Sequence, residues 1–443
     1  MAMSLPHFFF FFFFFSASSS ALPLQTGTAL LAPITKDPST LQYTVPIYLK
    51  TPLQPTKLLL DLGASFSWVD CQKSYRSSTY RHVRCNSSLC ASLHSLACSN
   101  CYDAPVPACG NDTCALFPEN SVTREASLAN AIIDSLALPF TDGRNPGRLA
   151  LLSEFLFSCS PTSLLKGLAA GITGLVALGR SNISLPAQVT SAFSSPYVFA
   201  LCFSGSPSAP GVAFFGTRGP YYFLPETDLS KSLIYTPLLL NPRKHGITYS
   251  GHPSDEYYVG VSSVKVNGKA IQLNGSLLTV DQNGFGGTKL STIAPYTILE
   301  ASIYRVFTQA FVSEAAALNL TAVTAPVPAP FSVCYPADDV GSTLVGPAVP
   351  TVDLVMQSDD VFWRIFGSNS MVRMAGGNRG DVWCLGFVDG GVNARTSIVI
   401  GGHQMEDNLL QFDLGLKRLG FSSSVLLKRT MCANFNFTSN NNL

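Results

Sequence analysis

The stretch Leu58-Leu59-Leu60-Asp61-Leu62-Gly63-Ala64-Ser65-Phe66-Ser67-Trp68-Val69 decides the fold of this chain. Its apolar run predicts a buried strand, and Asp61 and Gly63 then predict a tight turn that presents a carboxylate. Trp68, seven residues after Asp61, returns the chain to the core. An ordinary strand-turn-strand with a satisfied turn aspartate would have the same pattern, so the rest of the chain has to decide between the two.

The composition favours a large, β-rich extracellular protein. With 443 residues, of which 47% are hydrophobic, the chain is too long for one ordinary domain, and two lobes are expected. The net charge is +1 and the 28 Lys and Arg residues are scattered, so neither a nucleic-acid groove nor a patch for acidic membranes is indicated. Charged residues make up only 12%, and Gly and Pro are abundant, which is typical of β-rich proteins with many turns.

The N-terminus has the pattern of a signal peptide. Phe8 to Phe15 form an apolar block that is too short to cross a bilayer of roughly 30 Å as a helix. The small residues Ser19 and Ala21 suit cleavage before Leu22. We therefore expect residues 1–21 to be removed and the protein to be secreted without a membrane anchor.

An even number of cysteines follows this segment, and in a secreted chain such a set predicts disulfides. The twelve are Cys71, Cys85, Cys90, Cys98, Cys101, Cys109, Cys114, Cys159, Cys202, Cys334, Cys384 and Cys432. Cys98-x-x-Cys101 is also a spacing of zinc and redox sites, but no matching Cys or His pair accompanies it, so we expect no metal and no cofactor. The segment 71–114 holds seven cysteines and almost no apolar periodicity, which predicts an irregular insertion held by local disulfides.

Six Asn-x-Ser/Thr sequons predict glycosylated surface loops. They begin at Asn86, Asn111, Asn182, Asn274, Asn319 and Asn436. Three isolated histidines, His245, His252 and His403, are interpreted as surface or loop residues.

The pattern of apolar residues predicts many short strands and two helices. Strands are expected at 42–48, 56–61, 155–159, 174–179, 257–261, 264–269 and 397–402, and a hairpin at 409–421. Helices are expected at 185–193 and roughly 298–318.

The two halves of the chain repeat one plan. A strand and turn open each half, at Asp61 and at Ser291, and an apolar strand that ends in Gly follows at a similar spacing, at Gly179 and at Gly401. This repeat predicts two lobes with a cleft between them. We place the lobes at 22–234, which includes the insertion, and at 235–443.

These features resemble the pepsin-like aspartic proteases, whose turn reads Asp-Thr-Gly-Ser with an aromatic residue at the same spacing. Ser291-Thr292-Ile293, the segment 402–408 and the tail 432–437 narrow the resemblance to a plant group. That group contains basic 7S globulin, the extracellular dermal glycoprotein, xyloglucan-specific endoglucanase inhibitors and wheat-type xylanase inhibitors, and the tail is most similar to the extracellular dermal glycoprotein branch. The resemblance covers nearly all of the chain after residue 21. It implies a mostly β, bilobal, pepsin-like fold with a few short helices, and a monomer.

The resemblance also implies a disulfide pattern. Cys71 should pair with Cys159, Cys202 with Cys432, and Cys334 with Cys384. The six cysteines from Cys85 to Cys114 should then pair locally.

Aspartic proteolysis needs two carboxylates that share one proton and one water molecule. Asp61 matches the first carboxylate, but Ser291 stands where the second is expected, and Ile293 replaces the Gly of that turn. Leu62 removes a hydroxyl that ties the two turns together, and the expected flap region, 121–138, contains no Tyr. The sequence therefore predicts a catalytically inactive homologue, a pseudo-aspartic protease.

The resemblance implies an apoplastic or cell-wall protein that inhibits microbial cell-wall-degrading glycosidases in plant defence. A family 12 xyloglucan-specific endoglucanase is the favoured target over a family 11 xylanase. In inhibitors of family 12 enzymes two arginines reach the catalytic carboxylates, which an arginine can bind bidentately. Arg429 matches one of them, whereas Leu344 stands at the other position.

Alternatives stay open at this point. Arg429 could be a solvated loop cation. The protein could instead be a non-inhibitory binding or 7S-globulin-like storage protein, or a residual aspartic endopeptidase. A pI of about 7.5 argues mildly against a strongly basic storage protein.

Overall fold

The computed structural model describes residues 29–73, 75–95, 97–102, 105–244, 252–324, 326–375 and 380–439. The expected signal peptide, residues 1–21, and His245 lie outside the described residues. Within these ranges no helix combines the length and the hydropathy that a membrane crossing requires.

Strands dominate the first half of the chain. They span Ala29–Lys36, Tyr43–Leu49, Gln54–Asp61, Trp68–Asp70, Arg81–His82, Ala97–Ser99, Thr113–Leu116, Glu119–Asn120, Glu125–Ala126, Ala129–Thr141, Pro146–Ser160, Gly174–Ala177, Val198–Cys202, Gly211–Phe215, Tyr222–Phe223 and Thr227–Asp228.

Strands also dominate the second half. They span Ile234–Leu239, Tyr258–Val259, Ser263–Val266, Lys269–Ala270, Thr288–Leu290, Thr297–Leu299, Cys334–Pro336, Ser342–Thr343, Gly346–Pro347, Val352–Val355, Phe362–Ile365, Met371–Met374, Val382–Leu385, Phe387–Asp389, Ile398–Ile400, Leu409–Asp413 and Arg418–Phe421.

The helices are few and mostly short. The α-helices span Ser88–Ser92, Leu185–Phe193, Gly275–Leu278, Ala301–Ala317, Gly367–Ser370 and Gly402–Met405, and 3₁₀ turns span Thr162–Leu165, Leu229–Ser232, Ala337–Asp339, Val425–Lys428 and Cys432–Asn434. The helix expected at 185–193 is confirmed. The longest helix begins at Ala301 rather than 298, because the Glu300 carboxylate caps it by accepting a hydrogen bond from the Ser302 N–H at 2.9 Å.

The stretch that opens the sequence analysis forms the expected strand and turn. The strand Gln54–Asp61 pairs antiparallel with Tyr43–Leu49 and parallel with Gly174–Ala177. Trp68 begins the next strand and is 1% exposed. Because this strand is paired with one neighbour along residues 54–59 and with another along residues 59–61, the Asp61 turn is held on a rigid support.

The second half repeats this arrangement. The strand Thr288–Leu290 pairs parallel with Ile398–Ile400, just as Gln54–Asp61 pairs with Gly174–Ala177 in the first half. The repeated plan that the sequence predicts is therefore present in the strand pairing.

One extended sheet joins the two halves. Val198–Cys202 pairs antiparallel with Leu409–Asp413, and Ile234–Leu239 pairs antiparallel with Arg418–Phe421. Stacked aromatic rings, such as Phe199 on Phe412 with ring centroids 4.7 Å apart, pack across this junction. Backbone hydrogen bonds and packed side chains therefore both connect the two halves.

Six disulfides have the pairing that the resemblance implies. They are Cys71–Cys159, Cys85–Cys98, Cys90–Cys114, Cys101–Cys109, Cys202–Cys432 and Cys334–Cys384. The Cys-rich insertion does not stand apart from the lobe, because its Val83, Leu93 and Cys114 pack with Ile133 and Leu156 of the neighbouring long strands. The disulfides and the packing against these long strands together hold the insertion in place.

Five of the six sequon asparagines are exposed, and only Asn436 is half-buried. Their glycosylation remains a prediction.

Candidate functional site

A cleft of about 870 Å³ lies between the two halves. Asp61 and Ser291 both line it, so the structure brings together the two positions that the repeat predicts. A hairpin of Glu119–Asn120 and Glu125–Ala126, here called the flap hairpin, contributes Ser121 and Arg124 to the lining.

Asp61 is buried at the floor of the cleft and is 4% exposed. One carboxylate oxygen accepts a hydrogen bond from the Gly63 N–H at 2.7 Å, and the other accepts one from the Ser121 hydroxyl. Burial raises the pKa of Asp61, and the nearby charge of Glu256 adds to this shift.

The Ser291 hydroxyl is hydrogen-bonded within its own turn. Its hydroxyl oxygen accepts hydrogen bonds from the backbone N–H groups of Ile293 at 3.2 Å and Ala294 at 3.3 Å. A hydroxyl used in this way closes an ST-turn. The side chain of Ile293 packs beside Trp68 and Ala64 of the first half. This position therefore supplies packing and turn geometry, and no second carboxylate.

One of the two threonine contacts that tie the turns of a pepsin-like site is present. The Thr292 hydroxyl accepts a hydrogen bond from the Leu62 N–H at 3.2 Å and donates one to the Leu60 carbonyl at 2.8 Å. Leu62 lacks the hydroxyl for the reciprocal contact and is fully buried in the core. The Thr292 hydroxyl therefore joins the two turns, and no hydroxyl at position 62 makes the matching contact.

A charged pair that sequence reasoning missed lies beside Asp61. The Lys289 ammonium nitrogen is 2.5 Å from a Glu256 carboxylate oxygen. Burial opposes the charge on Glu256, but Lys289, with smaller contributions from Ser254 and Arg124, holds the pKa of Glu256 below its usual value. A Cβ on Gly63 would lie 3.1 Å from the Glu256 side chain, so the Gly leaves room for this side chain. In the sequence, the only sign of this pair is Lys289, a charged residue two positions before Ser291.

The flap hairpin is shorter than expected and is pinned to the first half. The expected flap region, 121–138, is mostly a strand, since Ala129–Thr141 pairs along Pro146–Ser160. The buried Asn120 side chain donates to the carbonyls of Leu164 and Lys166, each at 2.8 Å. Its carbonyl oxygen accepts from the N–H groups of Val122 and Thr123. The backbone N–H groups at the tip of the hairpin are therefore bonded within the hairpin itself.

Arg429 is not among the residues that line the cleft. It ends the 3₁₀ turn Val425–Lys428 in a left-handed conformation with φ of 55°, and its side chain is exposed. Among the described residues its guanidinium has no hydrogen-bond or ion-pair partner. Leu344 is 60% exposed at the tip of the hairpin Ser342–Pro347.

The segment of Arg429 rests on the turn that follows the helix Gly402–Met405, and the hairpin of Leu344 reaches the same turn through the helix Gly367–Ser370. The hairpin of Leu344 docks on Ser368, whose N–H donates to the Val345 carbonyl at 2.8 Å, and the next residue, Asn369, donates to the Glu406 carbonyl at 2.7 Å. The segment of Arg429 docks on Asp407. Leu344 and Arg429 therefore share one support.

His403 belongs to this support, and its interpretation as a surface residue is wrong. Its side chain is 12% exposed, one ring nitrogen is 3.3 Å from a Glu406 carboxylate oxygen, and the other is 3.0 Å from the Met371 carbonyl. The carboxylate lies only three residues further along the chain, but the Met371 carbonyl comes from a strand 32 positions away, and that packing cannot be recognised from an isolated histidine. His252 is exposed, as expected. In the described part of the chain, no three His, Cys, Asp or Glu side chains are grouped as metal ligands.

Comparisons with known proteins agree with this architecture. The family model described as "Xylanase inhibitor N-terminal" matches residues 43–217, and "Xylanase inhibitor C-terminal" matches residues 256–423. The chain is similar to "Probable aspartic proteinase GIP2" of Nicotiana benthamiana, with 50% identity over 93% of this chain and 92% of that protein.

Solved structures give the same result. The crystal structure of EDGP has a TM-score of 0.90 and 51% identity, and the match covers 94% of this chain and 99% of that one. Conglutin gamma, described as a basic 7S globulin from lupine seeds, has a TM-score of 0.80 and 34% identity, over 94% of this chain and 100% of that one.

Proposed function

The chain belongs to the xylanase-inhibitor family of pepsin-like proteins, and from this premise we propose that it is a secreted, catalytically inactive protease homologue that inhibits microbial cell-wall glycosidases. We favour a family 12 xyloglucan-specific endoglucanase as the target over a family 11 xylanase, and we place the protein in the apoplast or cell wall. The observation that carries the proposal is the exposed guanidinium of Arg429. It has no hydrogen-bond or ion-pair partner among the described residues, and its segment is fixed by a disulfide and by backbone hydrogen bonds.

Arg429 has the chemistry that such a target requires. The catalytic carboxylates of a retaining glycosidase lie about 5 to 5.5 Å apart, and a guanidinium can donate several charge-assisted hydrogen bonds to such a pair. The disulfide Cys202–Cys432 and the turn at Asp407 hold the segment of Arg429 before any partner arrives. Binding then costs less ordering entropy than it would for a free loop.

The absence of proteolysis follows from the chemistry of the cleft. One carboxylate cannot act as both the base and the protonated acid of an aspartic protease. Ser291 offers only a hydroxyl that accepts two turn hydrogen bonds, and the other nearby carboxylate, Glu256, is paired with Lys289. We therefore propose that the cleft does not cleave peptides, although a relative has a proteinase name.

Leu344 bears on the choice of target. An exposed leucine next to the support of Arg429 supplies apolar contact where the related inhibitors supply a second arginine. We propose that this protein is a monomer and that it binds its target enzyme through one arginine and an apolar hairpin tip.

Residual-activity measurements test the proposal. Purified protein should lower the activity of a family 12 xyloglucan-specific endoglucanase, and should lower that of a family 11 xylanase less. If neither enzyme loses activity at micromolar inhibitor, the inhibitory function is wrong.

The second candidate is a non-inhibitory binding or storage role. It is favoured by the likeness to conglutin gamma, whose description names a basic 7S globulin from seeds. Lack of inhibition together with abundant protein in seed tissue would favour this candidate.

A further inference from the structure

The segment that carries Arg429 exposes large apolar side chains as well as its guanidinium. In residues 425–432, here called the Arg429 loop, Leu427 comes two positions before the arginine and Met431 two positions after it, and both are exposed. Scattered exposed apolar residues are ordinary on a protein surface, whereas a group of them beside polar or charged residues marks an interaction site. The loop therefore offers more than one charge to a partner.

A third exposed apolar residue, Leu224, is bonded to this loop from the first half of the chain. It belongs to a hairpin in residues 222–228, here called the first-half hairpin. Its N–H donates to the Asn434 carbonyl at 3.1 Å, and its own carbonyl accepts a hydrogen bond from the Thr430 hydroxyl at 2.6 Å. Thr430 directly follows Arg429, so the first-half hairpin is fixed beside the arginine. The three exposed apolar residues, Leu224, Leu427 and Met431, are here called the apolar rim.

The first-half hairpin and the Arg429 loop are anchored in the same core. Phe223 and Cys432 both belong to it and are buried, and the rings of Phe223 and Phe435 have centroids 5.7 Å apart. Leu224 is the neighbour of Phe223 in the chain, and Met431 is the neighbour of Cys432. Because a buried neighbour fixes the backbone at each of these two positions, the rim loses little conformational freedom when a partner covers it.

The charges of this surface are positive. The Arg429 loop contains Lys428 and Arg429 and no acidic residue. The two carboxylates of the first-half hairpin are already engaged, since Glu226 pairs with Arg144 and Asp228 accepts hydrogen bonds from two backbone N–H groups. A cationic centre with an apolar rim fits a partner whose acidic cleft has an apolar edge. It fits a second copy of this chain poorly, because like charges would meet.

We propose that the apolar rim determines the strength of target binding, because it packs against the edge of the target enzyme's cleft and excludes water from the contact between Arg429 and the catalytic carboxylates. The inference rests on the proposed inhibitory function, since the rim and the arginine share one target. Interface arginines that dominate binding are typically surrounded by contacts that exclude water, and a charged contact is stronger where water is absent. The rim also brings the first half of the chain into the binding surface, whereas Arg429 and Leu344 both lie in the second.

Inhibition of a family 12 xyloglucan-specific endoglucanase tests the rim residue by residue. Leu224→Gln and Met431→Gln each replace an exposed apolar side chain by a polar one of similar length and keep the backbone hydrogen bonds, so the melting temperature should change little. Each should weaken inhibition by roughly tenfold or more, as expected when one apolar side chain no longer leaves water on binding.

Leu318→Gln is the matched control. Leu318 is exposed at the end of the helix Ala301–Ala317, whose buried residues belong to a different core cluster from that of the Arg429 loop. This variant should inhibit as the wild type does. Equal weakening in Leu318→Gln and Leu224→Gln would show a general effect of surface polarity and would overturn the inference.

A double-mutant cycle tests whether the rim acts through the arginine. If Leu224 keeps water from Arg429, then Arg429→Ala should weaken inhibition less in the Leu224→Gln protein than in the wild type, by about threefold or more. The same loss in both backgrounds would show that the two residues act independently, and the exclusion of water by the rim would be wrong.

The results also separate this inference from the proposed function. If the wild type inhibits, Arg429→Ala loses inhibition, and both rim variants inhibit as the wild type does, the function stands and the role of the rim is wrong. If the wild type inhibits nothing, the proposed function fails and the rim as part of a target-binding surface fails with it. If sedimentation shows a wild-type dimer that Leu224→Gln dissociates, the rim binds a second copy of the chain and the inference is overturned.

Discussion

The Ser121 hydroxyl donates a hydrogen bond to the Asp61 carboxylate, and this contact fastens the tip of the flap hairpin to the floor of the cleft. In a working aspartic protease the corresponding carboxylate shares a proton with its partner. Here Asp61 serves as an acceptor for Ser121 and for the Gly63 N–H. These contacts give Asp61 a structural role that does not need a second carboxylate at position 291.

The flap hairpin should therefore loosen when this contact is removed. Ser121→Ala leaves Asp61 with one donor, and loss of a hydrogen bond to a buried carboxyl costs about 1.5 to 3 kcal/mol. We expect amide exchange in residues 119–126 to rise by roughly tenfold or more. Ser127→Ala is the matched control, because the Ser127 hydroxyl makes only a 3.4 Å contact with the Leu128 carbonyl. Equal exchange in the two variants would show that Ser121 does not hold the flap.

The cleft should not cleave peptides. Purified protein should leave haemoglobin and casein intact between pH 2 and 6, because the second carboxylate of the dyad is absent. Ser291→Asp alone should not create activity, since Ile293 and Leu62 still occupy the positions of the turn Gly and the tying hydroxyl. Cleavage that is sensitive to pepstatin and is abolished by Asp61→Ala would contradict this expectation.

Much of the fold follows from local sequence pattern. The buried strand before Asp61, the return at Trp68 and the helix Leu185–Phe193 are signalled by apolar spacing and turn residues, and the structure places them as expected. The lobe division at 234 and 235 stays a prediction. It falls at the start of the strand Ile234–Leu239, which helps to join the two halves.

The contacts that decide the site could not be predicted in the same way. Glu256 and Lys289 are 33 positions apart, and Lys36 and Glu406 are 370 positions apart. Each meets its partner only because distant strands pair. The sequence places the flap too far along the chain, because the apolar strand Ala129–Thr141 follows the polar hairpin with only two residues between them.

Disulfides of different loop length should contribute unequally to stability. Cys334–Cys384 closes a separation of 50 residues and Cys101–Cys109 one of 8. In the chain-entropy model these are worth about 4 and about 2.5 kcal/mol. Replacing each pair by alanines and measuring urea unfolding should give losses in that order. A larger loss from the Cys101–Cys109 pair would show that the short loop matters through native packing instead.

The ion pair Lys36–Glu406 joins the first strand of the chain to the support of Arg429. Lys36 helps hold the pKa of Glu406 below its usual value against the opposing effect of burial, so this stabilisation is present at neutral pH and is lost as pH falls through the lowered value. Lys36→Met leaves a buried carboxylate with fewer partners and should cost about 2 kcal/mol at pH 7.

At pH 3 the cost of Lys36→Met should shrink, because this pH lies below the usual pKa of a glutamate, so the contribution of the lowered pKa of Glu406 is already being lost. Urea unfolding at both pH values measures it. Lys269→Met, which breaks an exposed pair with Glu314 at 2.7 Å, is the control and should change stability little at either pH. An equal loss at pH 3 and pH 7 for Lys36→Met would assign the effect to side-chain packing rather than charge.

The most direct test of the account is the inhibition constant of Arg429→Ala against a family 12 xyloglucan-specific endoglucanase. Loss of one partner from a desolvated charged contact costs about 2 to 5 kcal/mol, so inhibition should weaken by at least about tenfold, with the melting temperature nearly unchanged. Arg305→Ala, which removes another exposed arginine, from the helix Ala301–Ala317, should inhibit as the wild type does. If the wild type inhibits and Arg429→Ala inhibits equally well, Arg429 does not enter the target cleft and the central claim is wrong.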